Sequence, residues 1–129
     1  LLLISEKFKN VKIKSGDYHL MVDCIDKHTF VYIDPPYRPL TKTAAFTAYT
    51  QDEFGDDQQE ELARFFAELA SKGAKVLLSN SDPKNVDATD NFFDELYKDY
   101  NIQRVAAHRN INRNGAARGK INELLIANY

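Results

Sequence analysis

The chain has 129 residues, a formal net charge of −2 and an ordinary apolar share of 43%, which bounds it to one domain or part of a larger one. No apolar run is long enough to cross a bilayer, and the opening Leu-Leu-Leu-Ile is too short for a signal-peptide core and lacks a basic lead. A lone cysteine, Cys24, gives no internal disulfide, and no Cys/His cluster has metal-ligand spacing. A reducing, cytoplasmic setting is therefore expected, with no metal.

Residues 1–8 read as the end of a helix, with Leu1, Ile4 and Phe8 on one face. Val11 and Ile13 alternate with Lys12 and Lys14, the pattern of a half-exposed or edge strand, which should end at Ser15-Gly16-Asp17. A short helix is expected over about residues 18–25. Phe30-Val31-Tyr32-Ile33 is bulky and β-favouring throughout, which predicts a strand buried on both faces. Asp34-Pro35-Pro36-Tyr37 stops it, and a long loop runs to about Gly55.

The acids Asp56 and Asp57 suit a helix start. Leu62, Phe65, Phe66 and Leu69 give that helix its apolar stripe, and Lys72-Gly73 closes it. Val76-Leu77-Leu78 is the next buried strand, running out in Ser79-Asn80-Ser81-Asp82-Pro83. Asp90 or Asn91 can cap a helix carrying Phe92, Phe93, Leu96, Tyr97 and Tyr100. Strands near residues 102–106 and 123–127 flank a basic segment, 109–120, and should form a hairpin. The alternation predicts an α/β fold with a mostly parallel sheet and a C-terminal antiparallel hairpin.

In open α/β sheets, ligands bind beyond the carboxyl ends of the strands. Three polar clusters fall there: Ser15-Gly16-Asp17-Tyr18, Asp34-Pro35-Pro36-Tyr37 and Ser79-Asn80-Ser81-Asp82. The second suits chemistry at an aromatic amino group such as adenine N6, whose lone pair is delocalised into the ring. Two acceptors aimed at its hydrogens favour tetrahedral character and free the pair. The Asp34 carboxylate offers one and the Pro35 carbonyl the other. Two prolines with fixed φ stiffen the turn, and preorganised acceptors need no rearrangement during reaction. Tyr37 offers a ring on which a base removed from a duplex could stack. The plainer alternative is a proline-stiffened strand exit with Tyr37 in the core.

Elsewhere two readings stand side by side. Asp17 is either a helix cap or an acceptor for the amino group of a cofactor adenine, with Tyr18 packing beside it. The segment 38–50 holds Thr47 and Tyr49 and is either a binding loop or a plain surface connection. The segment 109–120 carries Arg109, Asn112, Asn114 and Arg118. It is either a phosphate clamp or a solvated hairpin tip. Asn80 either lines the pocket or turns the chain before Pro83. His19, His28 and His108 read as structural or surface residues, and Cys24 as core.

These residues resemble the D12-class, Dam-type DNA adenine-N6 methyltransferases over nearly the whole chain. Asp34-Pro35-Pro36-Tyr37 resembles their catalytic motif, and Arg38-Pro39-Leu40 with Thr43-Ala44-Ala45-Phe46-Thr47-Ala48-Tyr49 looks like the loop that follows it. Leu78-Ser79-Asn80-Ser81-Asp82 is similar to their next strand end. Arg109 to Gly115 and Asn122-Glu123-Leu124-Leu125 resemble their closing hairpin. The resemblance implies part of a Rossmann-like methyltransferase sheet, S-adenosylmethionine as methyl donor, and adenine flipped out of duplex DNA, with GATC as a family-level target. It makes Asp34, Pro35 and Tyr37 catalytic and brings Asp17, Tyr18 and Asp34 to the cofactor. Thr47, Tyr49, Asn80, Arg109, Asn112, Asn114 and Arg118 become candidate DNA contacts.

The family's Gly-rich cofactor loop, its following acidic residue and its target-recognition region have no counterpart here. Residues 1–129 therefore read as the C-terminal portion of a catalytic domain, inactive or weakly active alone, with apolar sheet edges left open. Such a portion needs the missing N-terminal part of the same enzyme, or a homodimer, to cover them. The parent belongs either to a restriction–modification system or to a solitary methylase. The competing readings are an amino-group methyltransferase acting on RNA or protein glutamine, whose motif typically begins with Asn, and a non-catalytic nucleic-acid-binding fragment.

Overall fold

The computed structural model describes residues 6–38, 54–108 and 120–129, side chains at 108 and 120 excepted. Its framework is one four-stranded sheet: β1 (Phe30–Ile33), β2 (Lys75–Ser81), β3 (Asn101–His108) and β4 (Lys120–Ala127), in the spatial order β1-β2-β4-β3. Among the described residues it is accompanied by the α-helices α1 (Asp56–Ser71) and the short α2 (Phe92–Leu96), by helical residues 6–8, as expected from the sequence, and by 3-10 segments at Tyr18–Cys24 and Pro83–Asn85. The chain is mixed α/β, as its alternating pattern predicts.

The helix α1 forms where its stripe requires. Leu62, Phe65, Phe66 and Leu69 are buried, and Asp56 and Asp57 sit in the first turn, where acids meet the positive end of the helix dipole. Gly73 closes it with φ 83°, a left-handed conformation that only glycine adopts without strain. Its N–H bonds Ala70 O at 2.9 Å. Ahead of α2 the cap comes from Asp90, whose carboxylate accepts from Phe92 N at 3.0 Å. Asn91 makes no side-chain cap bond.

Helices cover one face of the sheet. Val76 and Leu78 of β2, with Leu124 and Ile126 of β4, pack against Phe66, Leu69, Phe93 and Tyr97. Phe66 meets Tyr97 and Tyr100 edge-on, with centroids 5.4 and 4.8 Å away. Side chains alternate across a strand. Asn80 therefore shares the helix-covered face with Leu78, while Ser79 points to the opposite face, beside Tyr32 and Asp34.

The sheet is partly parallel and partly antiparallel: β1, β2 and β3 run one way, and β4, between β2 and β3, runs against them and forms the expected C-terminal hairpin with β3. Three sequence expectations need correction. Cys24, read as core, is exposed. The strand expected around residues 12–14 is absent. Residues 11–17 are exposed and outside regular structure, and alternation alone makes no strand where no described strand offers a ladder partner. Finally, β1 is not buried on both faces: among the described strands it stands at the edge, paired to β2, and Phe30 and Tyr32 remain 57% and 55% exposed. Residues 1–5, and with them Leu1 and Ile4, lie outside the described residues.

Candidate active site

The site grows from the carboxyl ends of the two parallel strands. β1 and β2 are in register with Ile33 beside Leu78, so the next residue of each, Asp34 and Ser79, are neighbours. Ser79 Oγ donates to Asp34 Oδ1 at 3.0 Å and accepts from the Tyr32 hydroxyl at 3.0 Å. This hydroxyl relay fixes one carboxylate oxygen. Asp34 is exposed, and neither its Oδ2 nor the Pro35 carbonyl receives a hydrogen bond among the described residues. Two acceptors at the strand tip thus have no partner among the described residues.

The next residues are held from behind. Pro36 O accepts from Gln59 Nε2 at 3.1 Å. Arg38 N donates to Asn80 Oδ1 at 3.2 Å, and Arg38 O accepts from Ser81 Oγ at 3.1 Å. The Arg38 guanidinium bonds Asp56 at 2.6 and 3.1 Å and Asp90 at 2.7 Å, and lies 4.3 Å over the Phe92 ring. The turn is thus tied to β2, to the first turn of α1 and to the entrance of α2. Tyr37, in its middle, is half-buried. Burial raises its phenol above the ordinary tyrosine value, Ser79 opposes, and Glu123, Asp34 and Tyr32 add to the rise.

A cleft of about 580 Å³ runs along the open edge of β1, lined by Tyr18, Met21, Phe65, Val31 and Ile33, with Asp34, Pro35 and Pro36 at one end. It brings Tyr18 together with Asp34 and Pro35, as the sequence suggests. Tyr37 is not among its lining residues. Asp17 lines an adjoining groove with Lys14, Ser15 and Gly16, which shares Tyr18 and Met21 with the cleft. Its carboxylate caps the 3-10 segment, accepting from His19 N at 2.8 Å and lying 2.8 Å from His19 Nδ1. The backbone bond, then the ring contact, lowers its pKa.

Asn80, a candidate DNA contact by sequence, is fully buried. Its amide is occupied by Gln59, Arg38 N and Ser81 N, so it supports the turn from inside. Arg104, on β3 ahead of the basic segment, is committed internally to Asp82 at 2.9 Å and Asp94 at 2.8 Å. Thr47, Tyr49, Arg109, Asn112, Asn114 and Arg118 lie outside the described residues. Sequence reading missed Gln59, Arg38 and the separate role of Ser79. Only Gln59 left a signal: a polar residue three positions before Leu62, in line with the apolar stripe.

Comparison with known proteins gives this geometry its setting. Residues 1–111 match the family described as D12 class N6 adenine-specific DNA methyltransferase. Among curated relatives, a type II methyltransferase of Methanocaldococcus jannaschii is 49% identical over 127 residues, covering 98% of this chain and 42% of that protein. A type II methyltransferase of Lactococcus lactis subsp. cremoris is 42% identical, covering 98% and 43%. A DNA adenine methylase of Salmonella typhi is 36% identical, covering 94% and 41%. The chain thus spans about two fifths of the length of these relatives. With residues 1–111 matched and the Asp-Pro-Pro-Tyr turn set at the tip of β1, the chain belongs to the D12 class of N6 adenine-specific DNA methyltransferases.

Proposed function

We propose that this chain is the C-terminal part of a catalytic domain that transfers a methyl group from S-adenosylmethionine to adenine N6 in duplex DNA. In this reading its sheet is part of a Rossmann-like methyltransferase sheet, and the rest of a longer enzyme supplies the cofactor loop and the target-recognition region. The single observation that carries it is the pair of acceptors on a braced turn, neither with a hydrogen-bond partner among the described residues: Asp34 Oδ2, on a carboxylate held by Ser79 at 3.0 Å, and the Pro35 carbonyl beside it.

The residues present fit the cofactor. Tyr18 and Phe65 offer flat apolar surface along the cleft that ends at Asp34, and a carboxylate there suits the ammonium of a methionine moiety. Asp17, on the adjoining groove, suits an adenine amino group through its second oxygen. When bound, the cofactor supplies an electrophilic methyl group. The chain's own residues do the rest. Asp34 and Pro35 accept hydrogen bonds from the two N6 hydrogens, freeing the lone pair for attack; the methylated amine then releases one proton toward Asp34, and Tyr37 stacks on the flipped base. Stacking of this kind contributes roughly 1–3 kcal/mol. Thr47, Tyr49, Arg109, Asn112, Asn114 and Arg118 contact the DNA around it. Asp34 at the head of the motif favours adenine over RNA or protein-glutamine substrates.

The test is Asp34→Ala in the intact enzyme, read by labelled methyl transfer to adenine-containing duplex, with and without GATC, and by DNA binding. Transfer should vanish while DNA binding persists. Retained transfer, or an intact parent that binds DNA and never methylates it, would overturn the proposal.

A further inference from the structure

Gln59 is a polar side chain on the buried face of α1, fully enclosed beside Leu62 and Phe66. An amide in such a place is costly unless both its ends are paired, and both are. Nε2 donates to Pro36 O at 3.1 Å, and Oε1 accepts from Asn80 Nδ2 at 3.1 Å. Asn80, equally buried, accepts with Oδ1 from Arg38 N at 3.2 Å and Ser81 N at 2.9 Å. The two amides therefore hold the main chain on either side of Tyr37. Pro36 O belongs to the peptide before Tyr37, and Arg38 N to the peptide after it. The prolines fix φ at 35 and 36 but leave Tyr37 free to rotate. Fixing both flanking peptide planes removes that freedom. An apolar pair of the same volume would fill the space without orienting either peptide.

We infer that Gln59 and Asn80 are positioning residues for methyl transfer. They form a latch that sets the Tyr37 backbone, and with it the seat of the target base against Asp34. This rests on the function proposed above. The latch acts only through the turn and touches no substrate.

In the intact enzyme, Gln59→Met keeps length and removes both polar ends. Gln59→Glu keeps shape but, when ionised, loses the donor to Pro36 O; protonation restores it. A loosened turn should slow single-turnover methyl transfer by about tenfold to a hundredfold, the scale of a 1 Å misplacement. Affinity for S-adenosylmethionine, read by equilibrium binding, should stay within about threefold. Burial favours the protonated carboxyl of Gln59→Glu, so its rate relative to the parent should climb as pH falls from about 8 to about 6. Each variant decides alone if the other does not fold. Gln59→Met within about twofold of the parent overturns the latch, and so does a flat ratio for Gln59→Glu across a pH range in which difference infrared shows the introduced carboxyl to titrate. An Asp34→Ala control separates the two levels. If that variant still transfers methyl, the site reading itself fails. If it is inactive while the Gln59 variants behave like the parent, only the latch fails.

Discussion

Arg38→Met tests whether the ion-pair hub behind the turn stabilises the fold, and its cost follows from its partners. The side chain is 18% exposed, against 52% for Asp56 and 27% for Asp90. The Asp56 arm is doubly bonded but faces water, so screening limits it to about 0.5–1 kcal/mol. The Asp90 arm is partly buried and charge-assisted, about 1.5 kcal/mol. The Phe92 stacking at 4.3 Å adds roughly 0.5–1 kcal/mol. Methionine keeps the aliphatic cover and avoids desolvating a guanidinium, which returns about 1 kcal/mol. Asp90 keeps its bond from Phe92 N and is not left orphaned. The expected loss is about 2 kcal/mol, read as a lower urea midpoint at unchanged slope. Asp56→Asn should lose only about 0.5–1 kcal/mol. If Arg38→Met lies within about 0.5 kcal/mol of the parent, or if Asp56→Asn costs as much, the hub has been misjudged.

Two further outcomes follow from buried and charged groups. Tyr97 is 1% exposed and its hydroxyl has no hydrogen-bond partner among the described residues; Tyr97→Phe should therefore be neutral or stabilising by up to about 1 kcal/mol in urea unfolding, and a loss above about 1 kcal/mol would reveal a partner. Asp90 and Asp94 are both held below the ordinary aspartate value of 3.8. Burial raises each, but Arg38 and the Phe92 N–H together outweigh it at Asp90, as Arg104 and Lys84 do at Asp94. Carboxyls depressed in the folded state contribute stability that is fully present above the unfolded value and lost as pH falls through the folded one. Urea midpoints should accordingly decline below about pH 4, and Arg104→Met should flatten that decline by removing the Asp94 share; an unchanged slope would contradict the pairing.

The legible parts of the fold were those encoded locally. The stripe from Leu62 to Leu69, the glycine stop at Gly73 and the hairpin strands on either side of the basic segment are periodicities and breakers within one element. What stayed hidden depended on partners. Residues 30–33 have the composition of a central strand, yet with β2 as their one neighbour they stand at an edge with two aromatic rings half in solvent. Val11 and Ile13 alternate like a strand and pair with nothing described.

The same distinction divides the site. The stiff turn and its carboxylate could be read from the motif, because both are properties of four consecutive residues. The brace around them joins residues 18 to 52 positions apart, and no local pattern announces such pairs. Ser79 and Asn80 show how little sequence distance decides. They are adjacent, but the strand's two-residue period sends the hydroxyl to Asp34 and the amide to Gln59, on opposite faces of the sheet. One cluster, read from sequence as a single polar strand end, thus divides between the two jobs the turn requires. One side chain orients the Asp34 carboxylate, and the next holds the peptide that follows Tyr37.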